Sequence, residues 1–245
     1  MRIALISDIH GNQLALETVL GDAKRRQVDR IVCLGDTATL GPRPREVLGT
    51  LRDLGCPCIL GNHDAFLIDP DLVARYTKVP VIVQAIERCR EQLTEADLAF
   101  ARSFREEHYV ALPGDRRLYL FHGSPDSNTT DVLATTPSAE LDELLGNRSA
   151  SVMAGGHTHI QMLRQHRGTW IVNPGSVGMP FREYVSGARP EIMPYAEYAI
   201  VDASTDVIGV ELLRVPLDKE RLRAEVREWA SAPVLLQADL LAQYA

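Results

Sequence analysis

A chain of 245 residues with 45% hydrophobic and 24% charged residues has the composition of a globular protein able to bury a substantial core. Its formal net charge is −7, and no run of Lys or Arg lays down a basic stripe, which argues against stable nucleic-acid binding. The N-terminal apolar run, residues 3–6 between Arg2 and Asp8, is too short for a signal peptide or a membrane span, so no membrane association is expected.

In chain order, residues 3–6 read as a strand stopped by Ser7-Asp8. A helix follows, with Asn12 as N-cap and Leu16, Val19, Leu20 and Ala23 on one face. Residues 31–34 form the second strand, ending at Gly35-Asp36. Pro44 then opens a helix with Val47, Leu48, Leu51 and Leu54 inward and Gly55 at its end. Residues 58–60 read as a third strand that stops at Gly61-Asn62. The rhythm is α/β with parallel strands. Residues 65–107 read as a helical addition in which Thr94 and Asp97 form a capping pair.

Further strands are expected over 117–121, 151–154, 170–172, 198–201 and 207–213, with a short helix between Pro137 and Gly146. Residues 218–245 read as C-terminal helices with Leu222, Val226 and Trp229 at helical spacing. The apolar stretch 234–244 is expected to pack on its own chain, with a homo-oligomer interface as the alternative. No repeat, low-complexity segment or linker divides the chain, so residues 1–245 read as one domain. Cys33, Cys56, Cys58 and Cys89 match neither a zinc ribbon nor a redox pair, and reduced thiols in the cytoplasm are the expectation.

The chemistry sits where the strands end. Asp8 and His10 follow the first strand, Asp36 the second, and Asn62, His63 and Asp64 the third; functional groups gather at such a rim. Five of the seven histidines occupy glycine-marked turns, namely Asp8-Ile9-His10-Gly11, Gly61-Asn62-His63-Asp64, His122-Gly123 and Gly156-His157-Thr158-His159. Oxygen and imidazole donors without thiolates suit divalent ions of borderline hardness. Each residue alone has an ordinary reading: Asp8 a cap, Asn62 a turn residue, His122 a core histidine. The ordered set points to metal. His108 and His166 read as surface or loop residues, and Arg43, Arg45, Arg148 and Arg182 as solvated cations rather than phosphate ligands.

This set, Asp8-x-His10, Gly35-Asp36, Gly61-Asn62-His63-Asp64, His122 and Gly156-His157-x-His159, resembles the calcineurin-like metallophosphoesterases over residues 1–213. It is most similar to the small prokaryotic phosphodiesterase and diadenosine-tetraphosphatase-like branch. The resemblance implies a β-sandwich of two mixed sheets flanked by helices on both faces. It implies two divalent ions, manganese first and iron, zinc, nickel or magnesium as alternatives. One ion would take Asp8, His10, Asp36 and His159; the other Asp36, Asn62, His122 and His157, with Asp36 bridging. Hydrolysis would proceed by a hydroxide held between them. His63 would contact phosphate and protonate the leaving oxygen, with Asp64 orienting it or raising its pKa. The loop Asn173-Pro174-Gly175-Ser176-Val177-Gly178 would shape the floor, its amides also available to phosphate. The substrate expected is a small phosphodiester or nucleotide; a phosphomonoesterase, a phosphoprotein phosphatase and a non-catalytic scaffold are the alternatives. Phe181 stands before Arg182 where relatives often carry Arg sooner, and residues 181–194 and 65–107 are expected to set substrate choice.

Overall fold

The computed structural model describes residues 1–184 and 189–244. The first half runs β1 (Arg2–Ile6), α1 (Gln13–Arg25), β2 (Arg30–Cys33), α2 (Pro44–Leu54), α3 (Asn62–Ile68), α4 (Asp71–Tyr76), α5 (Pro80–Glu91) and α6 (Glu95–Ala101). Then come β3 (His108–Leu112), β4 (Arg116–Leu120), α7 (Ser138–Leu145), β5 (Val152–Ala154), β6 (Gln161–His166) and β7 (Thr169–Pro174). The chain closes with β8 (Tyr195–Asp202), β9 (Gly209–Pro216), α8 (Lys219–Glu228) and α9 (Val234–Gln243). None of the described helices is long and apolar enough to cross a membrane.

The strands form two mixed sheets, of order β2-β1-β8-β9 and β3-β4-β5-β7-β6. Period-two alternation decides which face each residue takes. Ile3 and Leu5 of β1 join Val32, Leu118, Leu120, Val152 and Val201 in the core between the sheets. Their neighbours Ala4 and Ile6 turn outward to meet Leu16 and Val19 of α1 and Leu48 of α2. On the other sheet Tyr119, Met153 and Ile171 turn outward onto Leu141 and Leu145 of α7. The result is a helix–sheet–sheet–helix stack, the architecture the resemblance implied. Its two buried layers on either side of each sheet explain why these strands carry apolar residues on both faces.

Several local expectations are corrected. Residues 58–60 form no ladder, only isolated parallel bridges from Cys58 to Cys33 and from Ile59 to Arg105, because the chain turns into α3 at Asn62. The helices that follow α2 end at Ala101, so 102–107 are not helical. β3 and β6 lie outside the expected strands; His108 and His166 lie on them, against Arg105 and Asp142 rather than in loops. Leu54 is exposed at the end of α2, where Gly55 takes the left-handed conformation (φ 59°) that terminates the helix. The capping box of Thr94 and Asp97 is present. In α9, Leu240 packs into the core with Tyr244 beyond it, while Val234 and Leu235 at its start stay exposed.

Leu120 is fully buried between the sheets two residues before His122. Leu120→Ala should lower the unfolding free energy by about 2–5 kcal/mol in denaturant titration. A loss under about 1 kcal/mol would mean that the inter-sheet layer is not the tight core described here.

Candidate metal centre

β1 and β2 run parallel in one sheet, and β4 and β5 run parallel in the other. The segments leaving these four strands meet: Asp8 and His10 after β1, Asp36 after β2, His122 after β4, His157 and His159 after β5. To turn their side chains inward the backbone is strained. Five of the nine non-glycine residues with positive φ among the described residues are Asp8 (54°), His10 (47°), Asp36 (55°), His157 (71°) and His159 (56°). Such conformations cost of order 1–3 kcal/mol each and cluster at functional sites. Glycines let the turns close. A methyl on Gly61 would collide with the Asp36 carboxylate, and one on Gly156 would meet Asp8 Oδ2 at 2.6 Å.

The donor atoms fall into two groups, Asp8, His10 and His159 in one and Asp36, His122 and His157 in the other, each with its atoms within 4.8 Å of one another. Asp36 reaches toward both: its Oδ2 lies 3.8 Å from His10 Nε2 and its Oδ1 3.4 Å from His122 Nε2. Asn62 joins the second group, its Oδ1 being 3.1 Å from His122 Nε2. All seven residues singled out as ligands are therefore brought together.

Their hydrogen bonds leave acceptor atoms facing one another. His122 Nδ1 donates to the Leu34 carbonyl (2.7 Å) and His159 Nδ1 to the Met179 carbonyl (2.7 Å), so each hydrogen is committed away from the cluster. Their Nε2 atoms face other acceptors: His159 toward His10 Nε2 (3.0 Å) and Asp8 Oδ1 (3.4 Å), His122 toward Asn62 Oδ1 and Asp36 Oδ1. Asp8 Oδ1 and His157 Nδ1 are buried without a hydrogen-bond partner. Such a set needs cations at its centre, either protons or metals. Burial opposes charge on both carboxylates, yet His159 and His122 hold Asp8 below its usual range, and His122 and His63 hold Asp36 well below. Burial likewise disfavours the His122 imidazolium, but Asp36 and Asp8 outweigh it and push its pKa up to about 10; His159 is raised by Asp8 in the same way. His10, with burial, His159 and His63 all opposing its charge, is depressed well below the usual imidazole value.

The role expected of Asp64 is corrected. Its carboxylate accepts from the amides of Asp36 (2.8 Å), Thr37 (2.9 Å) and Gly61 (3.1 Å) and from the Thr37 hydroxyl (2.6 Å). It caps α3 and fixes the Asp36 turn instead of orienting His63, whose Nδ1 faces Thr39 Oγ1 at 2.9 Å. Nor is the His63 pKa raised. Burial lowers it to about 4, with only Asp36 opposing among its main neighbours, while burial beside Asp36 lifts Asp64 to about 6.

The loop after β7 braces the floor as expected. Ser176 Oγ and Gly178 N donate to the Asp8 carbonyl, and Asn173 Nδ2 donates to the Gly156 carbonyl. The amides of Gly175, Val177, Gly178 and Met179 are all engaged within the protein, so they are not a phosphate cradle. Phe181 stacks on His159 at 4.3 Å, and Arg182 pairs with Glu191. Of the expected 181–194 specificity loop, residues 185–188 lie outside the described residues. Arg43, Arg45 and Arg148 pair with Glu228, Asp97 and Asp126. Motif reading missed Thr39, Asp131 and Tyr184: Tyr184 donates to Asp131 (2.6 Å), whose other oxygen is 3.5 Å from His157 Nε2. No spacing in the sequence marks the last two.

The raised pKa of His122 fixes a sign. Its folded value of about 10 exceeds the 6.5 of a free imidazole, so its proton stabilises the metal-free fold below pH 6.5. That contribution is lost as pH rises toward about 10. A metal needs the same lone pair bare, so metal addition at mildly alkaline pH should release at least one proton per chain. Calorimetry in buffers of differing ionisation enthalpy reads this directly, and binding without proton release would contradict the geometry.

The family model for the calcineurin-like phosphoesterase superfamily domain matches residues 1–206. An uncharacterised protein of Methanocaldococcus jannaschii is 26% identical across 96% of this chain and 97% of its own. The crystal structure of a metallophosphoesterase from Sphaerobacter thermophilus superimposes with a TM-score of 0.75 at 29% identity, covering 99% of this chain and 100% of that one. A hypothetical protein from Pyrococcus horikoshii shares the fold, with a TM-score of 0.80 at 20% identity over 98% of this chain and 97% of that one. With that match over most of its length, and with two groups of His and Asp donors gathered where its strands end, the chain belongs to the calcineurin-like phosphoesterase superfamily.

Proposed function

We propose that this chain is a single-domain, dinuclear metal-dependent phosphodiesterase acting on small phosphodiesters or nucleotides. One divalent cation would be held by Asp8, His10, Asp36 and His159 and the other by Asp36, Asn62, His122 and His157, with manganese the first expectation. The observation that carries the reading is the sorting of the donors into two groups, with one Asp36 oxygen directed toward each. Cations bound there would supply an activated water and charge compensation for in-line displacement at phosphorus.

The chain's own residues do the rest. Asp36 lies between the groups, and Asp64 holds the Asp36 turn through three hydrogen bonds and the start of α3 through a fourth. His63, anchored through Nδ1, offers its other ring nitrogen to a phosphoryl or leaving oxygen. With its pKa lowered to about 4, His63 is neutral at physiological pH, so it serves there first as a hydrogen-bond donor; an anionic substrate would have to raise its pKa before it could deliver a proton. Retention of His63 beside a full donor set argues against the scaffold alternative. Monoester and diester hydrolysis share this metal core. The free thiols fit a reducing, cytoplasmic setting.

The test pairs metal analysis with a panel of bis-p-nitrophenyl phosphate, p-nitrophenyl phosphate, cyclic nucleotides and dinucleoside polyphosphates. Chelator should abolish hydrolysis and manganese restore it, and Asp36→Asn should lower both metal content and rate. His63→Ala should keep its metals and lose roughly 10²–10⁴-fold in rate. Full activity in chelator would refute the metal reading; faster turnover of the monoester than of every diester would refute the diesterase reading.

A further inference from the structure

Thr39 is fully buried in the turn between β2 and α2, and none of the metal-ligand motifs includes it. Its Oγ1 lies 3.2 Å from His10 Nδ1 and 2.9 Å from His63 Nδ1, so one hydroxyl joins a candidate metal ligand to the candidate phosphate contact. The two imidazoles also meet edge to face, with ring centroids 4.9 Å apart.

A threonine hydroxyl carries one hydrogen and two lone pairs, so it can donate to only one of two ring nitrogens; with these two rings as its partners among the described residues, its hydrogen goes to the ring that does not donate to it. His10 sets the direction. Its Nε2 faces His159 Nε2 at 3.0 Å and Asp36 Oδ2 at 3.8 Å, which is the metal side of the ring. A coordinating nitrogen must be bare, and a neutral imidazole then carries its hydrogen on the other nitrogen, Nδ1. That N–H donates to Thr39 Oγ1. The Thr39 hydroxyl is left to donate to His63 Nδ1, which must be an acceptor. The single hydrogen of neutral His63 is thereby placed on Nε2. The opposite direction would leave Nε2 of His63 bare and present a lone pair to an anionic phosphoester.

We infer that Thr39 is a positioning residue: it relays the ligation of His10 to His63 and holds His63 as an Nε2–H donor toward the substrate phosphate. The inference rests on the metal-binding reading above and goes beyond it, because it assigns a hydrogen-bond direction and the residue that enforces it.

The test uses the zinc-loaded protein, which is diamagnetic, with ¹⁵N-labelled histidine. Imidazole nitrogen shifts in wild type, Thr39→Val and Thr39→Ser report where each ring carries its hydrogen. Wild type and Thr39→Ser should show His63 with hydrogen on Nε2, whereas the isosteric Thr39→Val should show a mixture of tautomers with zinc content unchanged. Diester hydrolysis in Thr39→Val should fall about 10- to 100-fold, the usual effect of removing an outer partner of a metal site, and Thr39→Ser should restore it. The inference is overturned if Thr39→Val keeps the wild-type His63 tautomer, if Thr39→Ser fails to rescue, or if Thr39→Val loses zinc and so acts through the metal alone. Wild-type protein that takes up no zinc would refute the metal reading itself, an outcome distinct from a zinc-loaded protein whose His63 tautomer ignores Thr39.

Discussion

Acceptor atoms forced to face one another away from water are the constraint on which the rest of this structure depends. Asp8, Asp36, Asn62, His10, His122 and His159 direct lone pairs into one buried volume, and the hydrogens of His122 and His159 are spent on the backbone carbonyls of Leu34 and Met179. Repulsion in such a cluster is relieved only by positive charge. Protons do so in the metal-free protein, which is why His122 holds its proton up to about pH 10. Divalent ions do so with greater charge and would free those protons.

Holding that arrangement requires rigidity from elsewhere. Left-handed conformations at Asp8, His10, Asp36, His157 and His159 together oppose folding by several kcal/mol, and only a fold that over-determines these turns keeps them. The sandwich does this by ending two parallel strand pairs at the same place. Buried hydrogen bonds then lock the turns to one another: Asp64 ties α3 to the Asp36 turn, and the loop after β7 ties the Asp8 carbonyl to the far side of the site. Substitutions at Asp64 or Ser176 therefore act on the geometry of these turns.

The candidate donors were legible in the sequence because their signal is local, a polar residue next to glycine just after an apolar run. Strand β1 and the apolar face of α1 were legible for the same reason. What was missed depends on partners distant in sequence. The β6 segment Gln161–His166 alternates but is mostly polar, and only its antiparallel pairing with β7 makes it a strand. Residues 58–60 look like a strand and form only bridges, since the chain must turn at Gly61 to bring Asn62 to His122. Asp64 sits beside His63 in sequence, which suggested a pair, but helical geometry sends the two side chains to different partners. Thr39 reads as an ordinary loop residue until His10 and His63 are seen on either side of it.

The most direct measurement is anomalous diffraction from a manganese-soaked crystal. The account requires two peaks about 3.5–4 Å apart, the usual spacing of a two-metal site. One should be bounded by Asp8, His10 and His159, the other by Asn62, His122 and His157, with Asp36 between them. A single peak, or a second one away from Asp36, would contradict it.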